Sequence, residues 1–360
     1  MLTSPSGRTE PRAETPGLPR ETFQSRLARS WALLDSAAPS LGTLPEALRR
    51  RAVALLGLAP GDDFAVAGGR SLLNADGSPL QICWSGDCFG KRPRILADPA
   101  SHIAESGARY QRARAALDAA LASTGSAALR PLVERLLFHC GPKGAAEASC
   151  FPAGVFWIGA SLKDPGCAVY VDGTAFAMQW AWERAEALLQ DILPADHERT
   201  LLLRALRSQV ILASVGLEGS SPKRARLKLY LRYKTPSSFQ NPGIRLMESP
   251  ALRQALALLL QDRSVRTSGF FLGLGFDLAS GLLSDFKVDV AGDQLGYTRE
   301  QWTSLLPRLE ARLGVRAALA GECLAATNAR ISFVGIGTDS NNDMRLNLYL
   351  KPGTHEDTAT

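Results

Sequence analysis

The sequence predicts an α+β fold: a closed barrel of ten antiparallel strands ringed by α-helices and assembled from five strand–strand–helix repeats. Three observations predict it. Segments 156–173, 211–233, 270–292 and 331–352 align as apolar strand, Gly/Ser/Asn/Asp-rich turn and alternating strand. One position of their second strands, held by Tyr170, Tyr230, Asp289 and Tyr349, recurs at spacings of 60, 59 and 60 residues, and so steady a period marks a repeated unit. Amphipathic helical stretches at 176–193, 249–262 and 298–313 separate the hairpins, the last two opened by a Ser or Thr suited to an N-cap.

Residues 1–21 are rich in Pro, Ser, Thr and charge with no hydrophobic period, and 353–360 are polar, so both ends are expected to be loose around one domain over 22–352. From 21 to 57 the apolar residues recur at helical spacing, predicting two helices ahead of the barrel. A weaker fifth copy comes next, with strands at 77–85 and 92–98 and a helix over 108–122. Five hairpins give ten strands.

Alternation sets the faces. In Arg226-Leu227-Lys228-Leu229-Tyr230-Leu231-Arg232 the leucines share one side and the charged and phenolic groups the other, and 345–351 and 285–290 repeat the pattern. The leucine side needs cover, which the helices supply. The polar sides then face inward, and a ten-stranded barrel is too wide for its own side chains to fill as a small barrel's do. A solvent-containing lumen lined by Arg, Lys and Tyr is expected.

Composition excludes several classes. With 46% hydrophobic and 21% charged residues the chain is globular, and a net charge of +6 falls short of a polybasic protein. The cations alternate on strands beneath helices, which disfavours nucleic-acid binding. No charge-free apolar run reaches membrane-spanning length, and the polar, charged opening residues do not form a signal peptide. Six cysteines without a C-x-x-C pair read as reduced thiols of a cytoplasmic protein. The four histidines lack metal-ligand spacing and no G-x-S-x-G occurs. Asp339-Ser340-Asn341-Asn342-Asp343 stands where a hairpin turn is required, and Gly273-Leu274-Gly275 and Gly335-Ile336-Gly337 lack the third glycine of a dinucleotide fingerprint.

Arg94, Arg226, Lys228, Lys287, Arg345 and Lys351 fall on the inner faces of second strands, and few acidic groups accompany them. Unpaired cations in a confined space call for an anion, since a charge pair at ~4 Å is worth roughly 4 kcal/mol at an effective dielectric near 20. A diphosphate is compact enough to serve. Tyr170, Tyr230 and Tyr349 form an aromatic ring at one level, and such faces stabilise a carbocation by roughly 0.5–2 kcal/mol each. Together these groups describe a site that ionises an allylic diphosphate.

The repeats, the run Arg226-Leu227-Lys228-Leu229-Tyr230 and the opening strand Gly77-Ser78-Pro79-Leu80-Gln81-Ile82-Cys83-Trp84 resemble the aromatic prenyltransferases of the ABBA type, nearest to the dimethylallyltryptophan synthase branch. The resemblance covers about 22–352 and implies the prenyltransferase barrel, with dimethylallyl diphosphate as co-substrate, a small aromatic acceptor and no essential metal or other cofactor. It assigns the diphosphate to Arg94, Arg226, Lys228 and Tyr230, joined on the inner face by Lys287 and Arg345. Tyr170, Tyr230 and Tyr349 correspond to its carbocation shield.

Gln81 replaces the family's usual glutamate and is expected to orient the acceptor. Trp84 and Trp157 are expected to stack on the acceptor if their registers point inward, and otherwise belong to the core. Ala168-Val169-Tyr170 replaces a usual Lys-x-Tyr, and Lys287-Val288-Asp289 replaces an uncharged polar residue and a tyrosine. Asp289 is thereby a candidate for final proton acceptance or for gripping a polar acceptor group. Tryptophan, another indole, a carbazole or a phenol all remain open as acceptor, as does a barrel that binds such ligands without turnover. A closed sheet makes a monomer the expected state.

Overall fold

The structure, a computed structural model, describes residues 21–353 apart from 66–67, 70, 72, 75, 88–89, 235–248, 262, 264, 316–320, 322–323, 326, 340 and 342. The end segments expected to be loose, 1–21 and 353–360, lie outside the described residues save for Glu21 and Gly353.

Two helices come first, α1 (Phe23–Leu41) and α2 (Pro45–Leu56). Thr22 caps α1 by accepting from the Ser25 amide, and both helices end on a glycine, Gly42 and Gly57, at left-handed φ of 65° and 64°. Five hairpins follow: β1 (Leu80–Asp87) with β2 (Gly90–Ala97), β3 (Phe156–Ser161) with β4 (Cys167–Asp172), β5 (Val210–Gly219) with β6 (Arg226–Tyr233), β7 (Phe270–Asp277) with β8 (Leu283–Ala291), and β9 (Arg330–Asp339) with β10 (Met344–Lys351). Between them run α3 (Ser106–Ser123), α4 (Arg130–Cys140), α5 (Ala145–Ala148), α6 (Met178–Ile192), α7 (His197–Arg207), α8 (Pro250–Leu260), α9 (Gly292–Leu295) and α10 (Arg299–Leu313). Ser249 caps α8, and Thr298 with Gln301 forms a reciprocal capping box on α10, each cap worth about 1 kcal/mol.

Every strand pairs antiparallel with its neighbours in sequence, and β10 returns to β1 with Tyr349 opposite Cys83, closing the ten-stranded barrel. Closure leaves no open sheet edge. Leu227, Leu229 and Leu231 are fully buried on the outer side, where they join Trp182 and Leu188 of α6 and Leu252 and Leu259 of α8 in one apolar layer. The sheet's leucine face and the helices' apolar stripes therefore solve each other's burial problem. In the β9–β10 turn the Asp339 carboxylate accepts from the amides of Asn341 (2.9 Å) and Asp343 (3.1 Å), so this acidic run is a turn. No helix among the described residues is long and apolar enough to cross a membrane.

Candidate active site

The lumen owes its width to a division between strands. Even-numbered strands send in long side chains: Arg94, Tyr170, Arg226, Lys228, Tyr230, Lys287, Arg345 and Tyr349. Odd-numbered strands place glycines opposite Tyr170, Lys228, Tyr230, Lys287 and Arg345. A Cβ on Gly273 would lie 2.8 Å from the Lys287 stem, one on Gly275 would lie 2.8 Å from Asp285, and one on Gly216 would run into the Tyr170 ring. The Gly-x-Gly pairs of β7 and β9 are thus seats for long side chains on β6, β8 and β10.

Two connected compartments fill the lumen. The polar one, about 630 Å³, is lined by Arg94, Glu218, Arg226, Lys228, Lys287 and Arg345, with loop residues at its rim. Lys228 lies at its centre, its ammonium 3.0 Å from Glu218 and 2.8 Å from Asp285. Arg94 reaches Glu218 at 2.6 Å, Arg226 stands 3.4 Å from Asp285, and Arg345 also pairs with Asp285. Burial pushes the Glu218 carboxyl up, but Lys228, Arg94 and Arg226 overcome this and hold it well below the usual carboxylate range. Burial, then the neighbouring Arg226, brings the Arg345 guanidinium down to about 10. Lys228 falls well below an ordinary lysine because burial and three nearby cations outweigh Glu218.

The second compartment, about 340 Å³, has aromatic walls from Trp157, Tyr170, Tyr230, Phe271, Phe333 and Tyr349. Tyr170 meets Tyr230 edge-on at 5.6 Å, and Phe333 meets Tyr349 edge-on at 6.2 Å. Lys287 stands where the compartments join. Its ammonium donates to the Tyr349 hydroxyl at 2.7 Å, pairs with Asp289 at 2.7 Å, and lies 4.9 Å from the Tyr230 ring centre. Burial lowers the Lys287 pKa, yet Asp289, Tyr230 and Tyr349 lift it well above the usual lysine value. Gln81 lines the same chamber, its amide nitrogen set among Leu73 O (2.9 Å), Asn74 Oδ1 (2.7 Å) and Ser332 Oγ (3.1 Å).

Arg94, Arg226, Lys228, Lys287 and Arg345 therefore converge as expected, as do Tyr170, Tyr230 and Tyr349, with Gln81, Asp289 and Trp157 beside them. Three expectations need correction. Trp84 points the other way: Gln81, Cys83 and Ser85 face the lumen, so residue 84 falls on the outer side, where it packs 2% exposed beneath the helices. Lys351 stands at the last residue of β10, where its ammonium pairs with Asp293 of α9 at 2.6 Å, not with the cation cluster. The cations are also not short of acidic company, because Glu218 and Asp285 stand among them. Glu218 is missed when alternation is read only on second strands; Gly216-Leu217-Glu218 on β5 alternates equally. Arg232 and Asp172, both in the aromatic chamber, sit two residues beyond Tyr230 and Tyr170 at the same inward parity of the second strands β6 and β4.

No protein-family model matches the chain, and no curated protein matches it in sequence. Among solved structures it is similar to PriB in its complex with product diphosphate, at 16% identity and a TM-score of 0.69 over 91% of this chain and 96% of that one. It is similar to 5-dimethylallyltryptophan synthase from Streptomyces coelicolor, at 15% and 0.67 over 95% of this chain and all of that one. AnaPT from Neosartorya fischeri gives 14% and 0.69 over 92% and 94%. The architecture of this chain is accordingly the helix-ringed, ten-stranded barrel of the ABBA-type aromatic prenyltransferases.

Proposed function

We propose that this protein is an aromatic prenyltransferase that moves a dimethylallyl or geranyl group from its diphosphate to an electron-rich aromatic carbon. One observation carries the reading: a single lumen holds five basic side chains borne on strands at one end and an aromatic chamber at the other, with Arg94 lining both. An allylic diphosphate spanning the junction would set its phosphates against Arg94, Arg226, Lys228, Lys287 and Arg345 and its prenyl chain among Tyr170, Tyr230 and Tyr349.

The C1–O bond breaks and its electron pair leaves with the diphosphate, whose growing charge the cations stabilise. The tyrosine faces hold the allyl cation and keep water from it. A ring carbon of the acceptor supplies the electrons of the new C–C bond, and the arenium ion loses its proton to restore aromaticity. Asp289, which lines the aromatic chamber and is charge-paired with Lys287, is assigned the proton. Gln81 orients the acceptor, and Trp157, 6.3 Å from the Tyr170 ring, stacks on it. Indoles, including tryptophan, and carbazoles fit an acceptor of this kind. The five cations supply the charge neutralisation, so the reaction is expected to proceed with a chelator present.

Incubating the protein with dimethylallyl or geranyl diphosphate, a panel of indoles, carbazoles and phenols, and excess chelator tests this, with mass spectrometry as readout. A product heavier by one prenyl unit is expected. Ligand retention without any product supports a binding barrel instead, and strict dependence on magnesium refutes the mechanism.

A further inference from the structure

The central cations are already engaged by acids of the barrel itself. Arg94, Arg226, Lys228 and Arg345 share two carboxylates, Glu218 and Asp285, leaving a surplus of two positive charges. Both acids come from inside the barrel: Glu218 from β5, across from Ala168, and Asp285 from β8, seated over Gly275. Asp285 is only 2% exposed. The oxygens that touch Lys228, Glu218 Oε2 at 3.0 Å and Asp285 Oδ2 at 2.8 Å, hold it as close ion pairs. Lys228 also lines the polar compartment.

On the reading that this cavity receives a diphosphate, we propose that Glu218 and Asp285 are its resident counter-anions. They hold the buried cations in place while the site is empty, oppose an incoming diphosphate by like-charge repulsion, and return to the same cations as product diphosphate leaves. The physical reasoning is local. Burying four cations without partners would be costly, so some anion must accompany them in the free protein. A phosphoryl oxygen placed on Lys228 competes with both carboxylates for one ammonium and stands close to each. The acids therefore weaken diphosphate binding and hasten its release, and their cations remain arranged for the next donor. Ala168 strengthens the case, since its cross-strand partner is Glu218 and neither position adds a cation to the cluster.

Isothermal titration with inorganic pyrophosphate tests this on wild type, Glu218→Gln and Asp285→Asn, with circular dichroism checking the fold. Each amide variant should bind pyrophosphate at least about tenfold more tightly, because one repelling charge is gone from the site. Turnover should slow while the single-turnover rate does not fall, since release becomes limiting. Glu218→Asp, which draws the charge back by one methylene, should lie between and serves if an amide variant fails to fold. Equal or weaker pyrophosphate binding by folded variants overturns the proposal, making the two acids mere supports that aim the cations. Wild type that does not bind pyrophosphate at all sinks the diphosphate site itself, an outcome distinct from the previous one.

Discussion

Replacing Lys228 by alanine removes the group at the centre of the polar compartment. The fold should survive: Glu218 keeps Arg94 at 2.6 Å, and Asp285 keeps Arg226 at 3.4 Å together with Arg345, so neither acid is stranded. The cost falls on the donor. A charge pair at ~4 Å and an effective dielectric near 20 is worth roughly 4 kcal/mol, and the flanking carboxylates offset part of it. Since each 1.36 kcal/mol is tenfold, kcat/KM for the allylic diphosphate should drop by about 10²–10³. Steady-state turnover read by mass spectrometry measures the loss, with a thermal melt beside it. Lys228→Arg should recover part of the activity by restoring charge, whereas Lys228→Met, which restores only the stem, should not. A folded Lys228→Ala protein within about threefold of wild type would show that the diphosphate is not seated here.

The depressed Lys228 pKa gives a pH signature: only the ammonium attracts a diphosphate, so donor KM should rise with pH below the usual lysine range, and this limb should vanish in Lys228→Arg. Trp84→Ala should cost about 3–5 kcal/mol in a melt, as a large deletion from the packed core, while leaving kcat/KM of the folded fraction unchanged. Gly216→Ala forces the Tyr170 ring out of its seat and should raise acceptor KM or change the ring position alkylated, read by product analysis; an identical product profile would refute the seat. Lys287→Met leaves Asp289 buried without its cation and should destabilise the fold by about 3–5 kcal/mol, with Lys287→Met/Asp289→Leu regaining part of it in denaturant melts.

Most of the barrel is legible in the sequence because two simple rules act together. The sixty-residue period locates the hairpins, and strict alternation on β6, β8 and β10 requires leucines under helices and cations within. Those strands are regular over their central residues, so Arg226, Lys228, Tyr230 and Lys287 fall where parity puts them. Parity also explains the failures. Gln81 and Trp84 are three residues apart and cannot share a face of one regular strand. Parity alone does not bring Lys351 into the cluster, because it stands at the last residue of β10 and its ammonium meets Asp293 of α9. Glu218 was hidden by position, because β5 reads as an apolar first strand until its last turn-proximal residues. Which cation meets which carboxylate depends on side-chain reach across the lumen, and no one-dimensional pattern encodes that.

The glycines that face the lumen from β5, β7 and β9 do more than leave room, because each one lies directly against a side chain that an added methyl would displace. A methyl group added at Gly273, Gly275, Gly335 or Gly337 would strike Lys287, Asp285 or Asp289 before it shortened any void, whereas one at Gly216 on β5 would strike the Tyr170 ring. Room and charge are thereby fixed together on β7 and β9, and of these three strands β5 alone offers a place where the aromatic wall can change while every ion pair stays as it is.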